Sequence, residues 1–175
     1  MKKCLILSLF TLLALTLGAG EGFAQSRSNK IDIGIGALIS NGLDATVSLE
    51  HETKYHNSWE YFANAYLQWD DCERCGHICN ESFWSNYNIY SAGIAYKPCV
   101  IRGRNNHGNL RIGISGGGST DNKLVGTLHV GYEHSYALKK EWMLYWQIKC
   151  DGSLNTRDNF KAGVAIGIKI PTKQR

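Results

Sequence analysis

From residue 31 onward, apolar and polar positions alternate with a period of two, the pattern of strands with one buried face. Eight such runs can be marked. In the first, Ile31, Ile33, Ile35, Ala37 and Ile39 oppose Asp32, Gly34 and Gly36. In the second, Leu43, Ala45, Val47 and Leu49 oppose Asp44, Thr46, Ser48 and Glu50. Asn41-Gly42 between them is a hairpin signal, because both residues tolerate positive φ. The third run sets Trp59, Tyr61, Ala63, Ala65, Leu67 and Trp69 against Glu60, Asn64 and Gln68. The fourth sets Tyr90, Ala92, Ile94 and Tyr96 against Ser91, Gly93 and Lys97, and stops at Pro98, which suits a strand end.

The remaining four runs follow the same rule. Leu110, Ile112 and Ile114 oppose Arg111, Gly113 and Ser115; Leu128, Val130 and Tyr132 oppose Thr127, His129, Gly131 and Glu133. Trp142, Leu144, Trp146 and Ile148 oppose Tyr145, Gln147 and Lys149. In the last, Phe160, Ala162, Val164, Ile166, Ile168 and Ile170 oppose Lys161, Gly163, Ala165, Gly167 and Lys169. The fold class expected is all-β, an eight-stranded antiparallel up-and-down barrel. Outer connections are expected near 40–42, 71–86, 117–123 and 151–158, and inner ones near 53–57, 98–108 and 138–140.

Alternation does not say whether protein or lipid covers the apolar face. Three features favour lipid. The polar face is rich in glycine (Gly34, Gly36, Gly93, Gly113, Gly131, Gly163, Gly167), which weakens a solvated strand but suits a narrow barrel interior. The same face mixes Asp32, Glu50, Glu60 and Glu133 with Lys97, Arg111, Lys149, Lys161 and Lys169, charges that could pair inside. Aromatic residues such as Trp59, Trp69, Tyr90, Tyr96, Tyr132, Tyr136 and Trp142 stand near run ends, as interfacial girdles require. The alternative is a soluble periplasmic or surface barrel that binds a small ligand in its core. The chain closes on Ile170-Pro171-Thr172-Lys173-Gln174-Arg175 without a terminal aromatic residue, which weighs toward that alternative.

The first 24 residues change the setting. Lys2 and Lys3, the uncharged apolar run Cys4 to Leu17 and the small-residue ending Gly22-Phe23-Ala24 form a secretory signal peptide. The run is 14 residues long, short of the ~20 a helical span needs. Residues 25–175 then make a single β-barrel domain, located in the cell envelope and most simply in the outer membrane. Removing Lys2, Lys3 and Glu21 from 19 basic and 15 acidic residues leaves 17 and 14. These are scattered, so no nucleic-acid surface is expected. Nineteen glycines and two prolines fit strands and tight turns.

Candidate chemistry is sparse. Cys72, Cys75 and Cys79, with His77 between, have a spacing that could hold Zn²⁺ in a reducing compartment. Export shifts the expectation to disulfides, within the loop or out to Cys150. Cys99 and Cys150 are expected a barrel height apart and unable to bridge. Gly116-Gly117-Gly118-Ser119 resembles a phosphate cradle by composition alone and reads better as a strand end and turn. Asp121 and Asp151 read as loop residues, the histidines are dispersed, and His129 reads as a satisfied interior residue. No serine or cysteine stands out beside a base, so neither catalysis nor a cofactor is expected.

The strand order resembles the TraO family of conjugative-transposon transfer proteins from Bacteroides-type bacteria. The resemblance rests on Ile33-Gly34-Ile35-Gly36-Ala37-Leu38, Tyr90-Ser91-Ala92-Gly93-Ile94-Ala95-Tyr96 and Asn109-Leu110-Arg111-Ile112-Gly113. It continues in Gly131-Tyr132-Glu133 and in Phe160 through Ile168. It implies a structural component of a conjugative DNA-transfer apparatus that acts by assembly, with outer-membrane lipid and other envelope components as partners.

Overall fold

The computed structural model describes residues 29–39, 42–68, 87–121, 123–138 and 141–172. The expected signal peptide, residues 1–24, and the cysteine-rich loop lie outside them. Nine strands form: β1 (Asn29–Leu38), β2 (Gly42–Glu52), β3 (Ser58–Gln68), β4 (Asn88–Lys97), β5 (Cys99–Arg102), β6 (Asn106–Ser119), β7 (Leu124–Ala137), β8 (Met143–Leu154) and β9 (Phe160–Pro171). All neighbours are antiparallel, β1 pairs with β9, and β4 pairs with β6, which closes the sheet. β4 and β5 are two parts of one stave, so the barrel has eight staves as expected. A short 3-10 turn, Lys54–His56, joins β2 to β3.

The long inner connection expected at 98–108 is a correction. Pro98 has no N–H to give the ladder, and the register shifts between Cys99 and Ile101, but pairing with β6 resumes on both sides. Leu110 N donates to Pro98 O at 3.0 Å, and Gly103 N donates to Asn106 O at 2.8 Å, leaving a turn of residues 103–105. Proline here bulges the stave without ending it. The outer connections also shorten. Gly116, Gly117 and Gly118 lie inside β6, and Asp151 lies inside β8, because cross-strand partners on β4, β7 and β9 hold them in the ladder.

Face assignment follows the alternation. Ile33, Ile35, Val47, Leu49, Ile112, Ile114, Leu128, Val130, Ile148, Val164, Ile166 and Ile168 point out of the barrel and are exposed, Ile166 to 67%. Asp32, Asp44, Glu50, Glu60, Lys97, Arg111, His129, Glu133, Lys149, Asp151, Lys161 and Lys169 point in and are buried. Outward aromatic rings gather toward the end that carries the described termini: Trp59 meets Tyr96 at 4.9 Å, and Tyr132 meets Trp146 at 5.7 Å.

The inward glycines have a packing reason. A Cβ on Gly34 or Gly167 would run into the Tyr145 hydroxyl, so the two glycines, paired across β1 and β9, make the seat on which that ring lies. The outward glycines Gly126 and Gly152 would meet nothing within 4 Å. Gly167→Val is therefore expected to prevent the folded, heat-modifiable form on a gel, while Gly126→Val reaches it like the parent chain. Equal behaviour of the two variants would contradict this assignment of faces.

Candidate functional site: a charge-filled lumen

The interior is built in layers, each contributed by inward positions of several staves. Nearest the described termini, Lys30 reaches Glu52 and His56 Nδ1 pairs with the same carboxylate. Asn109 Nδ2 donates to His56 O at 2.7 Å and to Lys97 O at 3.1 Å, which stitches the β2–β3 turn to the β4 end.

Above this lies the centre of the site. Lys97 Nζ stands 2.9 Å from Glu50, 3.0 Å from Glu60 and 2.9 Å from Glu133. Lys169 Nζ stands 2.6 Å from both Glu50 and Glu133. Asp32 is at 3.8 Å from Lys97 and 4.0 Å from Lys169. Arg111 forks onto Glu60, with Nε at 2.8 Å and Nη2 at 3.2 Å, and its guanidinium lies 4.4 Å from the centre of the Phe62 ring. Four carboxylates thus face three cations, drawn from β1, β2, β3, β4, β6, β7 and β9. A charge transferred out of water without partners costs several kcal/mol, so this lumen is stable only as a set.

The next layer holds a linkage that the sequence reading missed. Ser115 Oγ lies 2.8 Å from His129 Nε2, and His129 Nδ1 lies 2.8 Å from Asp151 Oδ1. Lys149 pairs with Asp44 and stands 3.6 Å from Asp151, and Asn64 donates to Asp44. The His129 ring also takes the edge of Phe62 at 5.1 Å. Reading Asp151 as a loop residue hid its partnership with His129; the signal that finds it is parity, since Asp151 shares the inward face with Lys149 and Gln147. Serine, imidazole and carboxylate are connected in the order of a hydrolase triad. A cavity of about 20 Å³ adjoins His129, Asp151, Lys149 and Lys161 but is not lined by Ser115, and it has room for about a water molecule. What the linkage does here is fix the imidazole at both ring nitrogens and tie β6, β7 and β8 together.

The layer farthest from the described termini is apolar. Leu38, Tyr66, Tyr87, Ile89 and Val125 form one buried cluster, and Lys161 Nζ lies 4.1 Å from the centre of the Tyr66 ring.

The other sequence candidates fall elsewhere. Cys72, Cys75, His77 and Cys79 lie outside the described residues. Cys150 is a free thiol on the outward face of β8, opposite Val130 and Ala162, and Cys99 is also free. Among the described residues there is no group of three or more His, Cys, Asp or Glu side chains arranged to hold a metal.

No family model and no curated protein matches the chain. Solved structures do. A major outer membrane protein from Thermus thermophilus is similar, with a TM-score of 0.60 at 10% identity over 84% of this chain and 100% of that one. Neisserial surface protein A gives a TM-score of 0.60 at 14% identity over 85% of this chain and 99% of that one. A de novo designed barrel, TMB2.3, gives 0.54 at 10% identity over 87% of this chain and 100% of that one. This chain therefore has the fold of a small outer-membrane β-barrel.

Proposed function

We propose that this chain is an outer-membrane protein with a structural role, inserted through its strands. The observation that carries the reading is the inversion of the usual arrangement: an exposed apolar belt surrounds a lumen of buried ions. In water, strands would place Ile35, Val164 and Ile166 inside and Lys97, Lys169 and Glu133 outside; each does the reverse. Lipid is the solvent in which both placements are favourable. Ionic side chains fill the interior at Lys97 and Lys169, which supports a wall or anchor over a pore.

The finer reading is a component of a conjugative DNA-transfer apparatus. The resemblance of its strand segments to the TraO family suggests it, and one of those segments, Gly131-Tyr132-Glu133, contributes Glu133 to the central ion cluster. On this reading the protein acts by assembly with other envelope components.

The test has three parts. Ile166→Cys and Leu144→Cys, with Cys99 and Cys150 replaced by serine, are expected to react with a lipid-phase thiol probe in outer-membrane fractions that resist carbonate extraction. A monodisperse mature protein in detergent-free buffer would overturn insertion and favour the soluble ligand-binding barrel. In a donor carrying the encoding element, deletion of the gene is expected to lower transfer frequency with the membrane otherwise intact. Unchanged transfer would remove the conjugative role while leaving insertion standing. Reconstituted in planar bilayers, the barrel is expected to pass no steady pore current.

A further inference from the structure

At the end of the barrel that carries both described termini, the exposed charge is mostly of one sign. Arg102 and Arg104 stand exposed at the β5–β6 hairpin, and Lys54 stands half-exposed in the β2–β3 turn. Among the described residues of these turns and the β7–β8 turn, the exposed acidic side chain is Glu141, because Glu52 is taken up by Lys30 and His56. Among the described residues of the opposite end, both signs are exposed: Arg157 stands 3.6 Å from Asp121, with Lys123 near in sequence.

This rim is locally constrained. Tyr55 and His56 both adopt left-handed backbone, with φ of 63° and 61°, a conformation that L side chains disfavour. It places the Tyr55 ring 5.0 Å from the Arg102 guanidinium and lays the His56 ring on His107 at 4.7 Å. Strain held at an exposed, charged corner is a reason to look for a ligand there. The outward rings of Trp59, Tyr96, Tyr136 and Trp142 lie beside the same rim. Aromatic rings flanked by arginine and lysine are the composition of a surface at headgroup depth, and a guanidinium forks onto phosphate oxygens.

We propose that this rim binds the phosphate headgroups of anionic phospholipids in the leaflet it faces, through Arg102 and Arg104 with Lys54 as a third contact. The proposal rests on the membrane reading above. Its experiment folds the mature chain into phosphatidylcholine vesicles, where heat-modifiable mobility reports insertion without any anionic lipid. Spin-labelled phosphatidylglycerol and phosphatidylcholine, each at trace level, then report association with the inserted barrel. Phosphatidylglycerol is expected to associate about fivefold more strongly at low salt, the scale that one basic residue near an anionic surface supplies. The preference should vanish in Arg102→Gln/Arg104→Gln and at high salt, and persist in Lys123→Gln at the opposite end. Equal association of the two lipids with an inserted parent chain would overturn the proposal alone. So would a preference unchanged in the double variant, or one abolished by millimolar inorganic phosphate, which would make the site a free-anion site. Failure to insert would overturn the membrane reading and this proposal with it.

Discussion

Lys97→Met is expected to lower the unfolding free energy of the inserted barrel by about 3–5 kcal/mol, the loss found when one member of a buried ion set is removed. Lys97 touches Glu50, Glu60 and Glu133 within 3.0 Å, with Asp32 at 3.8 Å. Without it, four carboxylates share Lys169 and Arg111. Methionine fits the volume but cannot answer the charge, so the cost is the uncompensated carboxylates and not a cavity. Lys97→Met/Glu133→Gln is expected to recover part of the loss, because it removes a charge from the side left in excess. Urea unfolding followed by tryptophan fluorescence measures both variants. A loss below about 1 kcal/mol for Lys97→Met, of the size of a surface pair, would contradict a dry, mutually dependent network.

Much of this architecture is legible in the chain. Parity puts Lys97, Arg111, Glu133 and Lys169 on one face, because the side-chain period of a strand is two, and the glycines and mixed charges of that face mark it as the inward one. Parity also separates Gly34 and Gly167 from Ile33 and Ile168. What it does not contain is length. Asp151 and the Gly116–Gly118 run carry turn-like composition, yet cross-strand pairing keeps them in β8 and β6, since a closed sheet offers every backbone group a partner. Pro98 carries the signal of a strand end, but the bulge lets β5 continue beyond it.

Partnership inside the lumen was hidden for a related reason. Ser115, His129 and Asp151 are separated along the chain and meet only through the registers of β6 with β7 and β7 with β8, where Ser115 pairs with Thr127 and His129 with Asp151. The apolar cap was missed as well. Leu38, Ile89 and Val125 share the inward parity of charged residues, so alternation places them inside without saying that the interior turns apolar at that level.

The second large effect concerns the outside. Ile166→Arg is expected to destabilise the inserted barrel by about 2–4 kcal/mol, the cost of an arginine on the lipid face near the bilayer midplane. Ile166 is 67% exposed, pairs with Ile35 and Trp146, and has Val164 and Ile168 on the same face of β9. Its side chain packs on little protein, so a change there acts through the solvent and not through a disturbed core. Thr120→Arg, at an exposed turn, is the control: it gives up the acceptor for Asn88 N at 3.1 Å and is expected to cost about 1 kcal/mol, since the lipid penalty falls away toward the interface. In a barrel surrounded by water the order would reverse: removing an exposed isoleucine in favour of arginine would be neutral or would improve solubility. Unfolding midpoints of the two variants in lipid vesicles therefore decide between lipid and water as the medium around the belt, and an Ile166→Arg variant no less stable than Thr120→Arg would place this barrel outside the membrane.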